Sequence, residues 1–309
     1  MRWTRVRHLA VASVIVSMAV IAGPVPAHAA FPGENGAIVF DTVSVFWNGQ
    51  GPSNLFTVDP DGSSLQQLTD VPDGSAAWHP SVSPDGARIV YVMSRDGRND
   101  AVWIMRADGS HQHRLVHEPS WSGNGPSFTA GGHRVLYSRC GTYVAFYFTC
   151  KIVSVRLDGS GLRTIVGGTW HPFDPVMSPD GSRIAYVSDA GGIEGRIWIA
   201  DADGSNRSPI GPTFTERPSW APDGSRLTLT GGHRNGAIFT MDADGTDVTE
   251  ILPGSLFSAW SPDGTFIVSH VEGPNGYGPL RTTGTDGSDP VEIVDAYLGV
   301  GFVDWGVAR

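Results

Sequence analysis

Apolar residues in this chain come in short runs instead of helical stripes. ARIVYVMS (87–94), AVWIMRAD (101–108) and HRLVH (113–117) are typical: each run is too short for a helix and rich in β-branched and aromatic side chains. Such runs predict strands. They are more continuously apolar than the strict alternation of a half-exposed sheet, so the pattern predicts sheets covered on both faces. Turn residues punctuate them. Asp-Gly recurs at 61–62, 108–109, 158–159, 203–204, 244–245 and 286–287, in steps of 47, 50, 45, 41 and 42 residues. Between two strand-like runs Asp-Gly is a strong hairpin signal, and a type I′ turn with positive φ at both central residues is the expected form.

A second turn series precedes the first in each repeat: SPDG at 83–86, 178–181 and 261–264, APDG at 221–224, and TAGG at 129–132 in the remaining place. Four short strands per repeat of about 45 residues, each small sheet buried between its neighbours, is the physics of a propeller blade. With the strands of a blade labelled A to D, the SPDG turn joins A to B and Asp-Gly joins C to D. Phe302-Val303-Asp304-Trp305 repeats the inner-strand pattern of Pro218-Ser219-Trp220, yet the chain stops there. Asn35 to Phe40 reads like Asp85 to Val90 and supplies the missing second strand. The expected fold is therefore all-β, a six-bladed β-propeller of four-stranded antiparallel blades closed by pairing of the N- and C-terminal strands.

Composition agrees and narrows the class. One residue in five is glycine or proline (40 and 22 of 309), only 17% is charged and 40% is hydrophobic, which fits neither a coiled coil nor a disordered chain. Residues 1–8 are basic, 9–22 carry no charge, and Ala27-His28-Ala29 offers small residues for cleavage, the layout of a secretory signal peptide. Fourteen apolar residues would rise about 21 Å as a helix, short of the roughly 30 Å hydrocarbon core, so a cleaved leader is preferred to a membrane anchor. The domain reading is a signal peptide over 1–29 and a single propeller over 30–309, secreted or held in the periplasm or cell envelope, with no later membrane span. Shedding Arg2, Arg5 and Arg7 would take the net charge from -10 to -13. With one lysine, Lys151, and scattered arginines, nucleic acid is not an expected partner. Cys140 and Cys150 flank a nine-residue segment; a disulfide stapling a hairpin is the expectation, with two free thiols as the alternative.

The repeat resembles a known family. RPSWAPDGSRLTLT, RIWIADADGSN and AIFTMDADGTD follow the pattern P-x-W-S-P-D-G, strand, aromatic-bearing strand, M-D-A-D-G-S of WD-repeat-like propellers of the TolB type, and the likeness covers residues 31–309. It implies the same six-bladed fold. TolB itself has a separate α/β domain before its propeller and works with the Tol-Pal envelope system; no residues here correspond to that domain, so a Tol-Pal role is not expected. Hydrolase relatives append a catalytic domain, and G-x-S-x-G is absent.

No metalloprotease, P-loop or dinucleotide motif stands in the chain. The DxDG segments offer two aspartates each, too few for an EF-hand-like loop, and read as turns. The Trp and Phe of the inner and third strands, such as Trp103, Trp198, Trp220 and Trp305, read as blade packing. Neither a cofactor nor a metal is expected. Because both short turn families share one rim, the longer loops collect on the other, with Trp47, Trp78, His79, Trp121, Trp170, His171, Phe214, His233, His270 and Tyr277. Trp-His-Pro at 78–80 recurs at 170–172, three residues out of register. Seven residues before each turn glycine stand His79, Gly125, Asp174, Arg217 and Phe257, with Phe302 as the sixth equivalent, just before the inner strands and thus expected to ring the channel mouth. Trp78, His79, Trp170, His171, Asp174, Arg217 and Phe257 are the candidate binding residues. The functional expectation is a non-catalytic monomeric propeller that binds an extracytoplasmic protein or glycan through this face. The alternative is a propeller enzyme (polysaccharide lyase, glycosidase or lactonase) acting at the channel mouth, with Arg217 on a carboxylate and His79 or His171 as base or ligand.

Overall fold

The computed structural model describes residues 31–42, 52–95, 98–116, 122–141, 149–168, 171–189, 195–231, 236–273, 278–295 and 298–309. They form six four-stranded antiparallel sheets. In the first, the inner strand is β24 (Val300–Val307), followed outward by β1 (Asn35–Thr42), β2 (Leu55–Val58) and β3 (Gln66–Gln67). The other blades run inner to outer in chain order. The second holds β4 (Ala76–Val82), β5 (Arg88–Arg95), β6 (Arg98–Arg106) and β7 (His113–Arg114); the third β8 (Ser122–Phe128), β9 (Arg134–Cys140), β10 (Cys150–Arg156) and β11 (Arg163–Val166). The fourth holds β12 (Phe173–Met177), β13 (Arg183–Ser188), β14 (Arg196–Asp201) and β15 (Ser208–Thr213); the fifth β16 (Thr215–Trp220), β17 (Arg226–Gly231), β18 (Ala237–Asp242) and β19 (Thr249–Pro253). The sixth holds β20 (Ser255–Trp260), β21 (Phe266–Val271), β22 (Leu280–Gly284) and β23 (Val291–Val294).

The ends of the sheet ring meet as the repeat pattern predicts. Val303 faces Phe40, Asp304 faces Val39 and Trp305 faces Ile38 across the β24–β1 ladder. The indole N–H of Trp305 adds a bond to the Gly36 carbonyl at 3.0 Å, and the Ala308 amide donates to the Glu34 carbonyl at 2.9 Å. The core lies between blades. One apolar cluster joins Leu136 and Ile152 of the third blade to Ile184 and Tyr186 of the fourth; another joins Ile38 and Trp305 of the first to Val268 and Leu280 of the sixth. This is why the runs read as apolar on both faces. Trp220, Trp260 and Trp305 are buried, as the packing reading expects.

The C–D turns depart from the expected type. In each Asp-Gly pair only the glycine has positive φ, from 79 to 92°. Asp61 keeps an ordinary φ because its carboxylate has a better use: it accepts from the Ser63 amide at 2.9 Å and the Ser63 hydroxyl at 2.6 Å. With the Gly62 amide donating to the Asp59 carbonyl, this is a type I turn followed by a left-handed glycine bulge, repeated in every blade. Those glycines have a second duty. A Cβ on Gly204 would strike the Ile165 carbonyl, one on Gly287 the Ile251 carbonyl, and one on Gly62 would sit 3.0 Å from the Ile293 carbonyl, in each case on the outer strand of the preceding blade. The third blade's TAGG still closes its turn, the Gly132 amide donating to the Thr129 carbonyl at 2.8 Å.

Cys140 and Cys150 face one another at the end of the β9–β10 ladder and form a disulfide. Residues 142–148, which they enclose, lie outside the described residues, as does the leader expected at 1–29. No helix among the described residues is long and apolar enough to cross a membrane.

Two stability outcomes follow from these contacts. Gly74 and Gly287 both have positive φ, but nothing lies within 4 Å of a Cβ on Gly74. Gly74→Ala should therefore carry backbone strain alone, about 1 kcal/mol, and Gly287→Ala on the order of 2–4 kcal/mol because the clash adds to it. Equal losses in urea unfolding would refute the inter-blade role of the turn glycine. Replacing both cysteines by serine should cost roughly 2–3 kcal/mol, and urea unfolding that leaves the stability unchanged would show that the staple closes a loop already held by its ladder.

Candidate binding site in the central channel

Each inner strand carries an irregularity. The register slips between Trp78 and Ser81 in β4, Asn124 and Ser127 in β8, Phe173 and Val176 in β12, Glu216 and Ser219 in β16, and Leu256 and Ser258 in β20. At every slip one residue adopts the left-handed conformation: His79 (φ 50°), Gly125 (62°), Asp174 (49°), Arg217 (58°) and Phe257 (49°). These bulges re-aim one side chain per blade toward the axis. In four blades proline follows at once, at 80, 126, 175 and 218, where a bulge leaves no ladder bond for an N–H to make. Arg217 and Phe257 are residue types that rarely take positive φ, and such strain, about 1–3 kcal/mol each, persists only where the surroundings over-determine it.

The five bulge residues and Phe302 line one cavity of about 140 Å³ on the propeller axis. They are not placed just before the inner strands, as the spacing suggested, but within them, so they form a constriction inside the channel instead of its outer rim. The start of the described chain reaches the turn side: Phe31 lines the same cavity, and the Gly33 amide donates to the Pro262 carbonyl of an SPDG turn at 3.2 Å.

Arg217 is the centre of the constriction. Its guanidinium carbon lies 4.1 Å from the Phe257 ring centre and 4.3 Å from that of Phe302, and the two rings are 4.3 Å apart. Glu216 reaches the Arg217 Nε at 3.9 Å, while Nη1 is buried with no hydrogen-bond partner among the described residues. His79 meets Phe302 edge-on at 3.4 Å between ring centres and stacks against Trp78 at 5.4 Å. The Gly125 amide donates to His79 Nδ1 at 3.0 Å, which leaves the proton of the neutral ring on Nε2, and that atom too is unpartnered. Gly125 has no side chain because Asp174 fills the place where a Cβ would stand.

Burial governs the titration of this region. These side chains meet the channel lumen over part of their area yet are surrounded by protein, so desolvation dominates. It holds His79 well below the ordinary imidazole value, with Arg217 adding to the effect. It pushes Asp174 up to about 6, against the pull of Arg217 and with a push from Glu216. Asp304, one step further along the channel, is raised to about 6 although the Val82 and Trp305 amides donate to it at 2.7 and 2.9 Å. His270, buried beside Phe257, is lowered to about 4. The sequence reading passed over Asp41. This β1 carboxyl, only 4% exposed, sits against Gly301, where a Cβ would be 2.9 Å away, and burial lifts it to about 8 against bonds from the Phe302 amide and its own, and Arg217. Its only sequence signal was a charge at the end of an apolar run, FD, facing the closing strand.

The remaining candidates are not in the cavity. Trp78 supports His79 from the strand instead of standing on a loop, and His270 is a buried strand residue, not a loop one. His171 is held by Asp189 at 2.9 Å outside the cavity lining. Trp170 lies outside the described residues, as do Trp47, Trp121, His233 and Tyr277. Among the described residues no three His, Cys, Asp or Glu side chains gather as a ligand set for a metal ion.

Asp41 makes the site's charge state measurable. Its folded pKa of about 8 lies above the unfolded 3.8, so its contribution to stability is complete below the unfolded value and is lost as pH rises through about 8. Asp174 and Asp304 have largely lost theirs by pH 7, and the two lowered histidines act only as pH falls through 6.5. Between pH 6.5 and 8 unfolding stability should fall by roughly 1–2 kcal/mol in the native chain and stay level in Asp41→Asn; the same slope in both proteins would refute the assignment.

Comparison with known proteins agrees with this architecture. The chain is 30% identical over 134 residues to the uncharacterized peptidase YuxL of Bacillus subtilis, a match covering 39% of this chain and 20% of that protein. It is 28% identical over 140 residues to the uncharacterized protein Atu1656 of Agrobacterium fabrum, covering 41% and 45%. The chain thus spans a fifth and under half of the length of these two relatives. The crystal structure of TolB from Acinetobacter baumannii superposes with a TM-score of 0.74 at 20% identity, over 90% of this chain and 68% of that one. The profile of the TolB β-propeller domain matches residues 11–213, about two thirds of the chain, and with its six four-stranded blades the chain belongs to the TolB β-propeller domain family.

Proposed function

We propose that the protein is an extracytoplasmic binding propeller: exported on residues 1–29, folded as one domain over 30–309, and docking a protein or glycan of the cell envelope or exterior without chemical turnover. The observation that carries this reading is the strained constriction itself. Arg217 packs against the touching Phe257 and Phe302 rings beside His79 on the cavity wall, with part of its side chain exposed, and a buried, strained guanidinium is costly unless something uses it. Trp78, His79, Asp174, Arg217 and Phe257 form the inner part of the binding face, and Trp170 and His171 are its further candidate residues. Membership of the TolB propeller family supports an extracytoplasmic location and an interaction role.

A second reading has one observation in its favour. Asp174, raised to about 6, shares the cavity with a neutral His79, which would suit acid–base chemistry on a substrate held by Arg217. Against it, His79 is too weak a base at neutral pH, and His171 stands apart from the cavity.

The test is a pull-down with residues 30–309 as bait on envelope extracts. The native bait should retain a partner that Arg217→Ala and Trp78→Ala hold at least about tenfold less, with unfolding profiles confirming that both variants are folded. Turnover of a peptide, glycan or lactone substrate that survives repurification and is lost in Asp174→Asn would overturn the binding reading in favour of the second.

A further inference from the structure

Phe31 lines the cavity together with the ring of bulge residues, and its volume of about 140 Å³ resembles that of an apolar protein cavity that takes up benzene. Its walls are mostly apolar, with Val176, Trp220 and Ala259 behind the ring. Arg217 and His79 stand on that wall, and the Arg217 side chain keeps 26% of its area exposed, although its Nη1, like His79 Nε2, is buried without a partner. The flanking Phe257 and Phe302 rings hold the guanidinium plane in place, so a ligand would meet a pre-oriented fork and not a flexible chain.

The geometry points to a subsite for a small organic monocarboxylate, its carboxylate on the exposed part of the Arg217 guanidinium and its hydrocarbon body against the apolar wall. A planar carboxylate matches the guanidinium fork. A second negative charge is disfavoured, since Asp174 lines the same space and Glu216 flanks the arginine. That excludes phosphate and dicarboxylates as good ligands. The size limit is a body of about ten heavy atoms, butyrate to benzoate in scale. The source would be either a free acid or the carboxyl end of a larger partner. This inference rests on the reading of the constriction as a binding site and names the chemistry that the site selects.

The experiment is calorimetric titration of residues 30–309, which contain all six blades, with sodium benzoate and sodium butyrate, each against its amide and against inorganic phosphate. Saturable binding of the acid, at least about tenfold tighter than its amide and tighter than phosphate, is expected, since one charge-assisted bidentate contact separates them. Arg217→Gln should remove that preference. The acid-to-amide ratio is measured on the unaltered chain, so the outcome does not depend on a variant folding. Amide bound as tightly as acid would reduce the site to an apolar hole, and phosphate bound as tightly would make it a general anion site; either result overturns the proposal. An Arg217-dependent partner in the pull-down with no carboxylate binding would sink this inference and leave the binding function standing. A free acid bound tightly with no retained partner would identify the free molecule as the source; competition by a carboxyl-terminal peptide but not by its amidated form would identify a chain end.

Discussion

The ladder between β24 and β1 is the constraint on which the molecule depends. It pairs strands more than 250 positions apart, so its formation requires the whole intervening chain to be in place, and the loop-closure entropy is repaid only at the end. Gly36 lies at its tightest point: a Cβ there would meet the Val307 carbonyl. Once made, the ladder removes two raw sheet edges and turns an open stack into a ring. Only in a ring do six inner strands face one axis, and only then do six bulge residues meet.

Closure is reinforced at larger radius by the turn glycines. Each C–D turn lays its glycine on the backbone of the preceding blade's outer strand, and Gly62 on Ile293 closes that circuit between the first and last blades. A residue chosen for turn chemistry thus also sets blade spacing. Apolar clusters between sheets supply most of the stabilisation, as expected of stacked repeats that cannot bury a face alone. The consequence for function is rigidity: the inner strands are clamped from both sides, which lets them hold Arg217 and Phe257 in backbone conformations that a free strand would relax.

The constriction combines costs that a purely structural channel would avoid. Left-handed non-glycine residues, a buried carboxyl lifted to about 6 and a guanidinium with an unused donor line one cavity, and a second carboxyl lifted to about 8 lies buried within the electrostatic reach of Arg217. Opposed charges soften the burden, since Arg217 pulls Asp174 and Asp41 down while they support its positive charge. The two flanking phenyl rings replace part of the lost hydration of the guanidinium.

The strands, their number and the clasp between the chain ends were legible because blade architecture is written in local chemistry: short continuously apolar strand runs, turn residues at near-regular intervals, and a repeat broken across the two termini. The turn type was misread because Asp-Gly suits two hairpin geometries, and the choice of the type I form with its left-handed glycine came from an aspartate side chain bonding Ser63. Counting back from the turn glycines found His79, Asp174, Arg217 and Phe257, since a repeat fixes equivalent positions whatever residue fills them. It could not find that these positions are bulges inside the strand, that Asp41 reaches the same region from another strand, or that Phe31 lines the same cavity. Those facts depend on distances between residues far apart in the chain, and no local pattern carries them; they came into being when the ring closed and one axis acquired six walls.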